Sequence, residues 1–388
     1  MHLRSPAYTP VMTDKATAPV VIVGAGPAGL AVGACLKRAG IRSILLERAA
    51  EVGSSWRGHY ERLHLHTDRR NSALPFIPFP PGTPRYASRD QVVAYLEAYA
   101  ARVGLDIRFG QSVVGVQRVG DHWEVQTQSE RFESSRLVVA TGNARVPFTP
   151  IWPGLDSFAG RVLHSSEYVN GREFRGQKVL VVGFGNSGGE IAIDLTENGA
   201  SVSLSVRSAV NVIPKEVVGI PILSIAIAQQ RLPPKVADAL NAPVLRATVG
   251  DITAYGLQKL PYGPAVQISQ DKHIPLIDIG TMALIKSGAV RVRPGIESFT
   301  AGGVRFVDGT EAEVDAVVMA TGYRAKVDEF LKAPGVADAD GGPLTSGQEA
   351  QERGLYFCGY HVAATGMLRE MGIEARRIAE SISAQVPA

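Results

Sequence analysis

Cysteine is scarce in this chain, with only Cys35 and Cys358 among 388 residues. The two lie far apart in the sequence and form no C-x-x-C pair, no cluster of metal ligands and no disulfide framework. This spacing excludes a redox centre built on neighbouring cysteines, and we expect no bound metal. Because disulfides are rare in reducing compartments, the sequence is typical of a cytoplasmic protein.

An excess of charge is also missing, since 40 basic and 37 acidic residues give a net charge of +3. No block of lysine or arginine stands out, so we expect no nucleic-acid partner. The longest apolar run, residues 217–228, is shorter than the roughly 20 residues that cross a bilayer. We therefore expect no membrane span, although weak contact with a membrane surface stays open. Residues 1–18 hold no apolar signal region, and we expect a disordered tail there.

A G-x-G-x-x-G pattern follows a run of β-branched residues near the start of the chain. Gly24 permits a tight turn, Gly26 lets a pyrophosphate approach the backbone, and Gly29 lets helix and strand pack closely. The helix that follows offers free N–H groups to the phosphates. A second strand ends in an acidic residue that can bind ribose hydroxyls. These features predict a dinucleotide site made of Gly24, Gly26, Pro27, Ala28, Gly29, Glu47 and Arg48.

The same pattern occurs a second time, with a strand at 177–182, a glycine-rich turn at 183–188 and a helix from Glu190 to Asn198. Its second strand ends in Arg207, where the first unit has Glu47. A carboxylate suits free ribose hydroxyls, whereas a guanidinium suits a 2′-phosphate through charge-assisted hydrogen bonds. We therefore expect FAD on the first unit and NADPH on the second; the alternative is an Arg207 that is only solvated. The predicted second site comprises Gly183, Gly185, Asn186, Ser187, Gly188 and Arg207.

Two buried strands, at 137–139 and 317–319, both lead into Ala-Thr-Gly. A further strand delivers Gly359 to a loop just before the closing helix, and this position suits contact with a ribityl phosphate. The duplication predicts an α/β fold with two Rossmann-like dinucleotide-binding domains and substrate in the cleft between them. We expect a discontinuous FAD domain (19–145 and 285–388), a linker (146–169), and an inserted NADPH domain (170–284) with an apolar lid or tunnel wall at 217–245.

The loop after the first unit is rich in histidine, arginine and proline. It leaves the carboxyl side of the strands, where ligands gather in α/β folds. It is therefore either a wall of the active site or an irregular surface crossing, with Trp56, His59, Tyr60, His64 and His66 as its notable side chains.

Residues 158–168, which read FAGRVLHSSEY, resemble the F-x-G-x-x-x-H-x-x-x-[F/Y] signature of flavin-containing monooxygenases. Tyr168 favours that family over the related Baeyer–Villiger enzymes, which usually end the signature in Trp. Other stretches resemble the YUCCA branch of the family, which converts indole-3-pyruvate to indole-3-acetate. The resemblance covers nearly the whole chain beyond residue 20 and includes residues 60–66, 74–75 with 79–80, 95–100, 183–188, 284–288 and 354–356.

Two positions bear on what the resemblance implies for the substrate. Many flavin-containing monooxygenases place a catalytic Asn where this chain, like the YUCCA branch, has His66, which argues against ordinary amine N-oxygenation. Residues 67–69 are Thr-Asp-Arg instead of that branch's Leu-Pro-Lys, so the branch's substrate does not transfer directly.

The resemblance implies an NADPH-dependent monooxygenase. NADPH reduces FAD, O₂ adds at flavin C4a, and retained NADP⁺ shields the resulting (hydro)peroxide from water. One oxygen atom then enters a small organic substrate, either an N or S nucleophile or an α-keto acid that loses CO₂. The protein supplies orientation and dryness. The candidate catalytic residues are Tyr60, Arg62, His66 and Asn186; further candidates are Arg57 and His59 for an anionic substrate, and Trp56, Thr141, Gly142, His164, Ala320, Thr321, Gly322, Tyr323 and Gly359 for the cofactors.

Other functional readings remain open at the level of sequence. An NADPH oxidase would release H₂O₂ from the same site if the shielding were imperfect, and a flavin redox sensor would bind the cofactor without catalysis. A disulfide reductase is disfavoured because the chain has no neighbouring cysteine pair. The sequence leaves a homodimer open.

Overall fold

The structure, a computed structural model, describes residues 20–385, so the predicted disordered tail lies outside the described residues. None of the helices in that range is long and apolar enough to cross a membrane. They are α1 (Pro27–Arg38), α2 (Ser54–Arg57), α3 (Arg89–Val103), α4 (Asn186–Glu197), α5 (Ile222–Ala228), α6 (Pro234–Thr248), α7 (Pro264–Asp271), α8 (Thr281–Lys286) and α9 (Met367–Ser383).

The strands of the described part group into two five-stranded sheets and several smaller ones. In chain order they are β1 (Val20–Val23), β2 (Ser43–Leu46), β3 (Asp106–Arg108), β4 (Val113–Val119), β5 (His122–Thr127), β6 (Arg131–Ser134), β7 (Leu137–Val139), β8 (Val146–Pro147), β9 (Arg161–His164), β10 (Lys178–Val182), β11 (Ser201–Ser205), β12 (Val212–Pro214), β13 (Glu216–Val217), β14 (Ile220–Pro221), β15 (Leu276–Asp278), β16 (Val290–Arg293), β17 (Ile296–Thr300), β18 (Gly303–Phe306), β19 (Glu311–Glu313), β20 (Ala316–Met319), β21 (Tyr323–Arg324), β22 (Leu331–Lys332) and β23 (Leu355–Phe357).

The first large sheet is parallel and has the order β23-β7-β1-β2-β3. Every residue of β1, β7 and β23 is buried, as expected for strands covered on both faces. Helices α1, α3 and α9 cover one face with side chains such as Leu30, Leu96 and Ile378. The sheet of β22, β4, β5 and β6 covers the other face with Val125 and Leu331. This sheet is the scaffold of the first predicted nucleotide unit.

The second large sheet is also parallel and has the order β16-β11-β10-β20-β9. Strand β9 comes from the predicted linker, while β16 and β20 come from the segment that we assigned to the first domain. The domain boundary predicted at residue 284 thus differs from the strand order, because β16 and β20 belong to the second sheet and the chain rejoins the first sheet at Leu355. Both sheets use buried strands that lead into Ala-Thr-Gly, and the sequence alone does not tell which sheet such a strand joins.

Residues 217–245, the predicted lid, fold into part of the β13–β14 hairpin, helix α5 and most of helix α6. These elements are thinly packed, since α5 buries only Leu223 and the fifteen-residue α6 buries only Ala237. Their apolar side chains therefore remain available to line a cavity between the two sheets.

Candidate functional site

The two glycine-rich turns repeat the same backbone geometry. Gly24 and Gly183 have φ values of 107° and 109°, in the region that favours glycine. A Cβ on Gly24 would lie 2.7 Å from the carbonyl oxygen of Ala140, and one on Gly183 would lie 2.5 Å from that of Ala320. Each turn thus packs against the Ala-Thr-Gly segment of its own sheet, and the two units are structural duplicates.

The third glycine of each turn lets helix and strand meet. A Cβ on Gly29 would lie 1.9 Å from the carbonyl oxygen of Gly24, and one on Gly188 would lie 2.1 Å from that of Gly183. Any side chain at these positions would collide with the backbone. Only glycine therefore allows the close contact between helix and strand that the motif requires.

The second glycine of each turn faces open space instead. A Cβ on Gly26 or Gly185 would meet nothing within 4 Å. Both residues precede a helix whose start has no side-chain cap and no acidic residue in its first turn. Free N–H groups beside open space suit a phosphate group, so both turns fit a pyrophosphate.

Glu47 lies beside the first turn and is 4% exposed. Its carboxylate accepts hydrogen bonds from the Ala25 N–H at 2.8 Å and the Ala49 N–H at 3.0 Å. A cavity of about 120 Å³ opens here, with Glu47, Arg48 and Thr141 in its wall. The first-unit candidates Gly24, Gly26, Pro27, Ala28, Gly29, Glu47, Arg48, Thr141, Gly142 and Gly359 all lie at the carboxyl ends of β1, β2, β7 and β23.

The sequence pattern aligns Arg207 with Glu47 of the first unit, but in the structure Arg207 lies one residue beyond the position equivalent to Glu47. Gly24 donates its N–H to the carbonyl oxygen of Leu46, and Gly183 donates equivalently to Ser205. The counterpart of Glu47 is therefore Val206, and Arg207 corresponds to Arg48, because β11 ends at Ser205. Arg207 is exposed and has no ion-pair partner among residues 20–385, so its guanidinium remains available at the edge of the second unit.

The signature residues at 158–168 attach the chain to the second unit. The Tyr168 hydroxyl donates to the Asp194 carboxylate on α4 at 2.6 Å. His164, at the end of β9, hydrogen-bonds through Nε2 to the carbonyl oxygen of Gly322 at 3.0 Å, and burial lowers the pKa of His164. The Tyr323 ring meets His164 edge-on, with centroids 4.9 Å apart. The candidates His164, Ala320, Thr321, Gly322 and Tyr323 thus lie at the carboxyl ends of β9 and β20, on the same edge as Gly183, Gly185, Asn186, Ser187 and Gly188.

A much larger cavity, of about 800 Å³, opens between the two units and is the candidate active site. This volume lies within the range of small-molecule sites. Its walls come from the first unit, the start of α4, the lid and the loop before α9. They include the candidates Trp56, His59, Tyr60, His64, His66, Asn186 and Ser187, the lid side chains Ile222, Leu223, Ile225, Leu232 and Leu245, and residues 361–367.

Glu190 also lines this cavity, and the sequence reasoning missed it. Its side chain is 2% exposed, and Oε1 lies 2.7 Å from Nε2 of His66. The available signal was a charged residue in the middle of a helix of small and apolar residues, whose neighbours Ile191 and Leu195 are fully buried.

Tyr60 and His59 lie close to the same carboxylate. Burial, with the charge of Glu190, raises the pKa of the Tyr60 hydroxyl well above its ordinary value. Tyr60 therefore keeps its proton and stays a hydrogen-bond donor at neutral pH. Burial lowers the pKa of His59, although the charge of Glu190 opposes this, so His59 is suited to a polar contact more than to binding an anion by charge.

Three candidates already have ion-pair or hydrogen-bond partners within the protein. Arg62 pairs with Glu197, and Arg57 pairs with Glu51 and Glu97; neither arginine lines the large cavity. Asn186 does line it, but its Oδ1 accepts the Ile277 N–H at 2.8 Å and so anchors β15. The structure therefore brings Tyr60, His66 and Asn186 together and leaves Arg62 apart.

Known proteins resemble the chain over most of its length. The family model described as pyridine nucleotide-disulphide oxidoreductase matches residues 21–219. Indole-3-pyruvate monooxygenase YUCCA1 of Oryza sativa subsp. japonica is 42% identical over 320 residues, which cover 81% of this chain and 79% of that protein. Probable indole-3-pyruvate monooxygenase YUCCA4 of Arabidopsis thaliana is 36% identical, over 94% of this chain and 90% of its own.

A solved structure resembles the fold. It is that of a flavin-containing monooxygenase from Stenotrophomonas maltophilia, with a TM-score of 0.72 and 23% sequence identity. The match covers 95% of this chain and 98% of that chain, so both sheets and the elements between them take part in the likeness.

Proposed function

The chain belongs to the YUCCA-type flavin-dependent monooxygenases, and from that premise we propose that its substrate is an α-keto acid with an apolar aromatic side chain, such as indole-3-pyruvate. The product is the acid that is one carbon shorter. One α-keto acid, one O₂, one NADPH and one proton give this acid, CO₂, water and NADP⁺.

The observation that carries this proposal is the large cavity between the two nucleotide turns, whose lining is divided between polar and apolar side chains. Tyr60, His66 and Ser187 supply polar atoms, whereas Ile222, Leu223 and Leu245 of the lid supply apolar surface. An aromatic α-keto acid has the same division, since its keto and carboxylate groups form hydrogen bonds and its ring is apolar. Sites with a few placed polar groups in an apolar wall bind such molecules in one orientation.

The residues present fit the two cofactors that the family uses. The start of α1 and Glu47 would hold the pyrophosphate and a ribose of FAD, and the start of α4 and Arg207 would hold those of NADPH. When bound, these groups supply the reducing electrons and the site of oxygen activation.

Side chains of the cavity would orient the substrate, transfer protons and exclude water. The Tyr60 hydroxyl keeps its proton and lies beside Ser187 and Glu190, in the group of polar side chains that orients the keto group of the substrate. His66 accepts and returns a proton at Nδ1, since its Nε2 contacts Glu190. The lid would exclude water from the reacting atoms and so suppress side reactions with water.

The test is a product analysis under ¹⁸O₂. FAD-loaded enzyme is supplied with NADPH and indole-3-pyruvate, and parallel reactions contain an amine or a thioether. We expect one ¹⁸O in indole-3-acetate and one CO₂ for each NADPH that is consumed. Oxygenation of only the amine or the thioether would reject the keto-acid proposal. NADPH consumption matched by H₂O₂ in every reaction would instead identify an oxidase.

A further inference from the structure

Glu190 is a buried carboxylate with an incomplete set of hydrogen bonds. Its Oε1 contacts His66, while Oε2 is buried and has no hydrogen-bond partner among residues 20–385. A charged group out of water costs several kcal/mol unless it is well paired. The residues of α4 that pack into the apolar core, such as Ile191, Ala192 and Leu195, are hydrophobic, so packing alone does not account for a carboxylate at this position. The carboxylate therefore points to a role in the cavity that it lines.

We propose that Glu190 is a positioning residue that holds the His66 ring with its proton on Nε2. An ionised carboxylate only accepts hydrogen bonds, so the nitrogen that faces it must carry the hydrogen. The lone pair of neutral His66 then lies on Nδ1, for which the described residues provide no partner. The inference rests on the proposed function in one respect, since it makes Nδ1 the atom that accepts or returns a proton during turnover.

The contact also joins the two units. Glu190 lies on α4 of the second sheet, whereas His66 lies in the loop that follows the first unit. His66 is therefore oriented only when both units are packed together, which ties the tautomer of a first-unit side chain to the assembled cavity. Carboxylates that orient a histidine ligand in metal sites typically change metal affinity or activity about 10–100-fold when they are removed, and we expect an effect of similar size here.

Several other groups face Glu190 and share its electrostatic environment. They are His59, the Tyr60 hydroxyl, and Lys215 in the connection between β12 and β13. Lys215 is partly buried, and its Nζ lies 3.8 Å from the centroid of the Tyr86 ring. Because these groups also respond to pH, a pH profile alone would not isolate the role of Glu190, and the test needs a direct view of the His66 ring.

The first test reads the tautomer by NMR. FAD-loaded enzyme labelled with ¹⁵N-histidine is recorded through two-bond ¹H–¹⁵N correlations, and the signal that His66→Asn removes identifies His66. We expect the Nε2–H tautomer in the native enzyme and a mixture with Nδ1–H in Glu190→Gln, whose amide can donate as well as accept. An Nδ1–H tautomer in the native enzyme, or an unchanged tautomer in Glu190→Gln, would overturn the proposal.

The second test measures whether Glu190 acts through His66. We expect Glu190→Gln to lower the kcat for product formation by about 10-fold or more, with the anaerobic rate of flavin reduction by NADPH unchanged. In the His66→Asn background the same substitution should add nothing, because the effects of coupled residues are not additive. Independent, multiplicative losses would show that Glu190 does not work through His66.

Asp194→Asn is the matched control, since Asp194 is a second buried carboxylate one turn further along α4, bonded to Tyr168 and to the Gly171 N–H. It should lower thermal stability and leave the His66 tautomer unchanged; a tautomer change in this control would also contradict the proposal.

If Glu190→Gln does not fold, Glu190→Asp replaces it and should retain Nε2–H, whereas Nδ1–H there would refute the role. A native enzyme that makes no acid from the α-keto acid would reject the proposed substrate, while the NMR result would still decide the role of Glu190.

Discussion

Arg207 is the side chain through which we expect the protein to distinguish NADPH from NADH. It is exposed two residues after the end of β11, whose last residue accepts a hydrogen bond from the second glycine turn. Charge-assisted hydrogen bonds to a 2′-phosphate contribute about 1.5–3 kcal/mol, and about 1.4 kcal/mol is a factor of ten. Arg207→Ala should therefore reduce kcat/KM for NADPH by at least about tenfold and leave that for NADH nearly unchanged.

Steady-state kinetics with both nucleotides check this expectation. Arg305→Ala is the control, because Arg305 is an exposed arginine on β18 that already pairs with Glu311. An unchanged preference in Arg207→Ala would remove Arg207 from the role, and the same loss in both variants would indicate a general charge effect.

His164 makes the stability of the fold depend on pH. Burial lowers the pKa of His164 below its ordinary value of 6.5, so the folded protein keeps the ring neutral where the unfolded chain binds a proton. The free energy of unfolding should therefore be highest above pH 6.5 and fall as the pH drops toward the lowered value. His59, whose pKa burial also lowers, acts in the same direction.

Urea denaturation at pH 7.5, 6.5 and 5.5 measures this dependence. Each group contributes at most about 1.4 kcal/mol per pH unit. His164→Gln should show a smaller loss of stability between pH 6.5 and 5.5 than the native protein. Equal losses in the two proteins would assign the acid sensitivity to other groups.

At the scale of elements, the strand–turn–helix unit separates the requirements of folding from those of binding. Gly26 has an ordinary backbone conformation, with φ −78° and ψ −176°, and a Cβ there meets nothing. Gly26→Ala should fold with near-native stability but lose FAD, because its methyl group occupies the space that suits a pyrophosphate. Gly29→Ala should fail to fold, since its Cβ would lie 1.9 Å from a backbone oxygen.

Gly185→Ala makes the same change in the second unit and gives the matched comparison. We expect it to retain FAD and its absorption, and to lose NADPH oxidation. Flavin content by absorbance and anaerobic reduction rates distinguish the two variants. Loss of flavin in Gly185→Ala, or its retention in Gly26→Ala, would contradict the assignment of FAD to the first unit.

The local units could be read from the sequence because each combines a buried strand, a close-packed turn and a helix within about thirty residues. Helix α3 begins at Arg89 for a reason that is also local, because Ser88 caps it and Gln91 completes the capping box. What local patterns do not contain is pairing at long range. The sequences of strands β16 and β20 do not indicate which sheet these strands join. Likewise, the sequence around Arg62 does not indicate its ion pair with Glu197.

The candidate site also combines features that local sequence patterns predict with features that depend on long-range packing. The glycine turns and Glu47 follow from a motif whose geometry is local, whereas the large cavity depends on how two units and the lid meet. The contact between Glu190 and His66, which are 124 positions apart in the sequence, arises only from this packing. A sequence pattern predicts what one unit offers, while the surface formed between units depends on their packing.

At the scale of the whole molecule, residues from the first unit hold the lid hairpin β13–β14 in place. The Tyr86 hydroxyl donates to the Glu216 carboxylate at 2.6 Å, and burial together with this bond raises the pKa of Tyr86. Arg85 donates to Glu216 at 3.0 Å and to the carbonyl oxygen of Gly219 at 2.8 Å. The arginine pair is half exposed and contributes little, so the tyrosine bond is the main link.

Glu216→Ala should therefore loosen the lid without unfolding the protein. A lost hydrogen bond to a charged group of about 1.5 kcal/mol raises the population of an open lid about tenfold, and water then reaches the cavity more often. We expect the ratio of H₂O₂ released to product formed to rise several-fold, with the rate of flavin reduction nearly unchanged.

Tyr86→Phe should have a similar effect, since it removes the same bond. Glu313→Ala, which breaks an exposed ion pair with Lys178, should leave the ratio at the native value; an unchanged ratio in Glu216→Ala would show that closure does not depend on this contact.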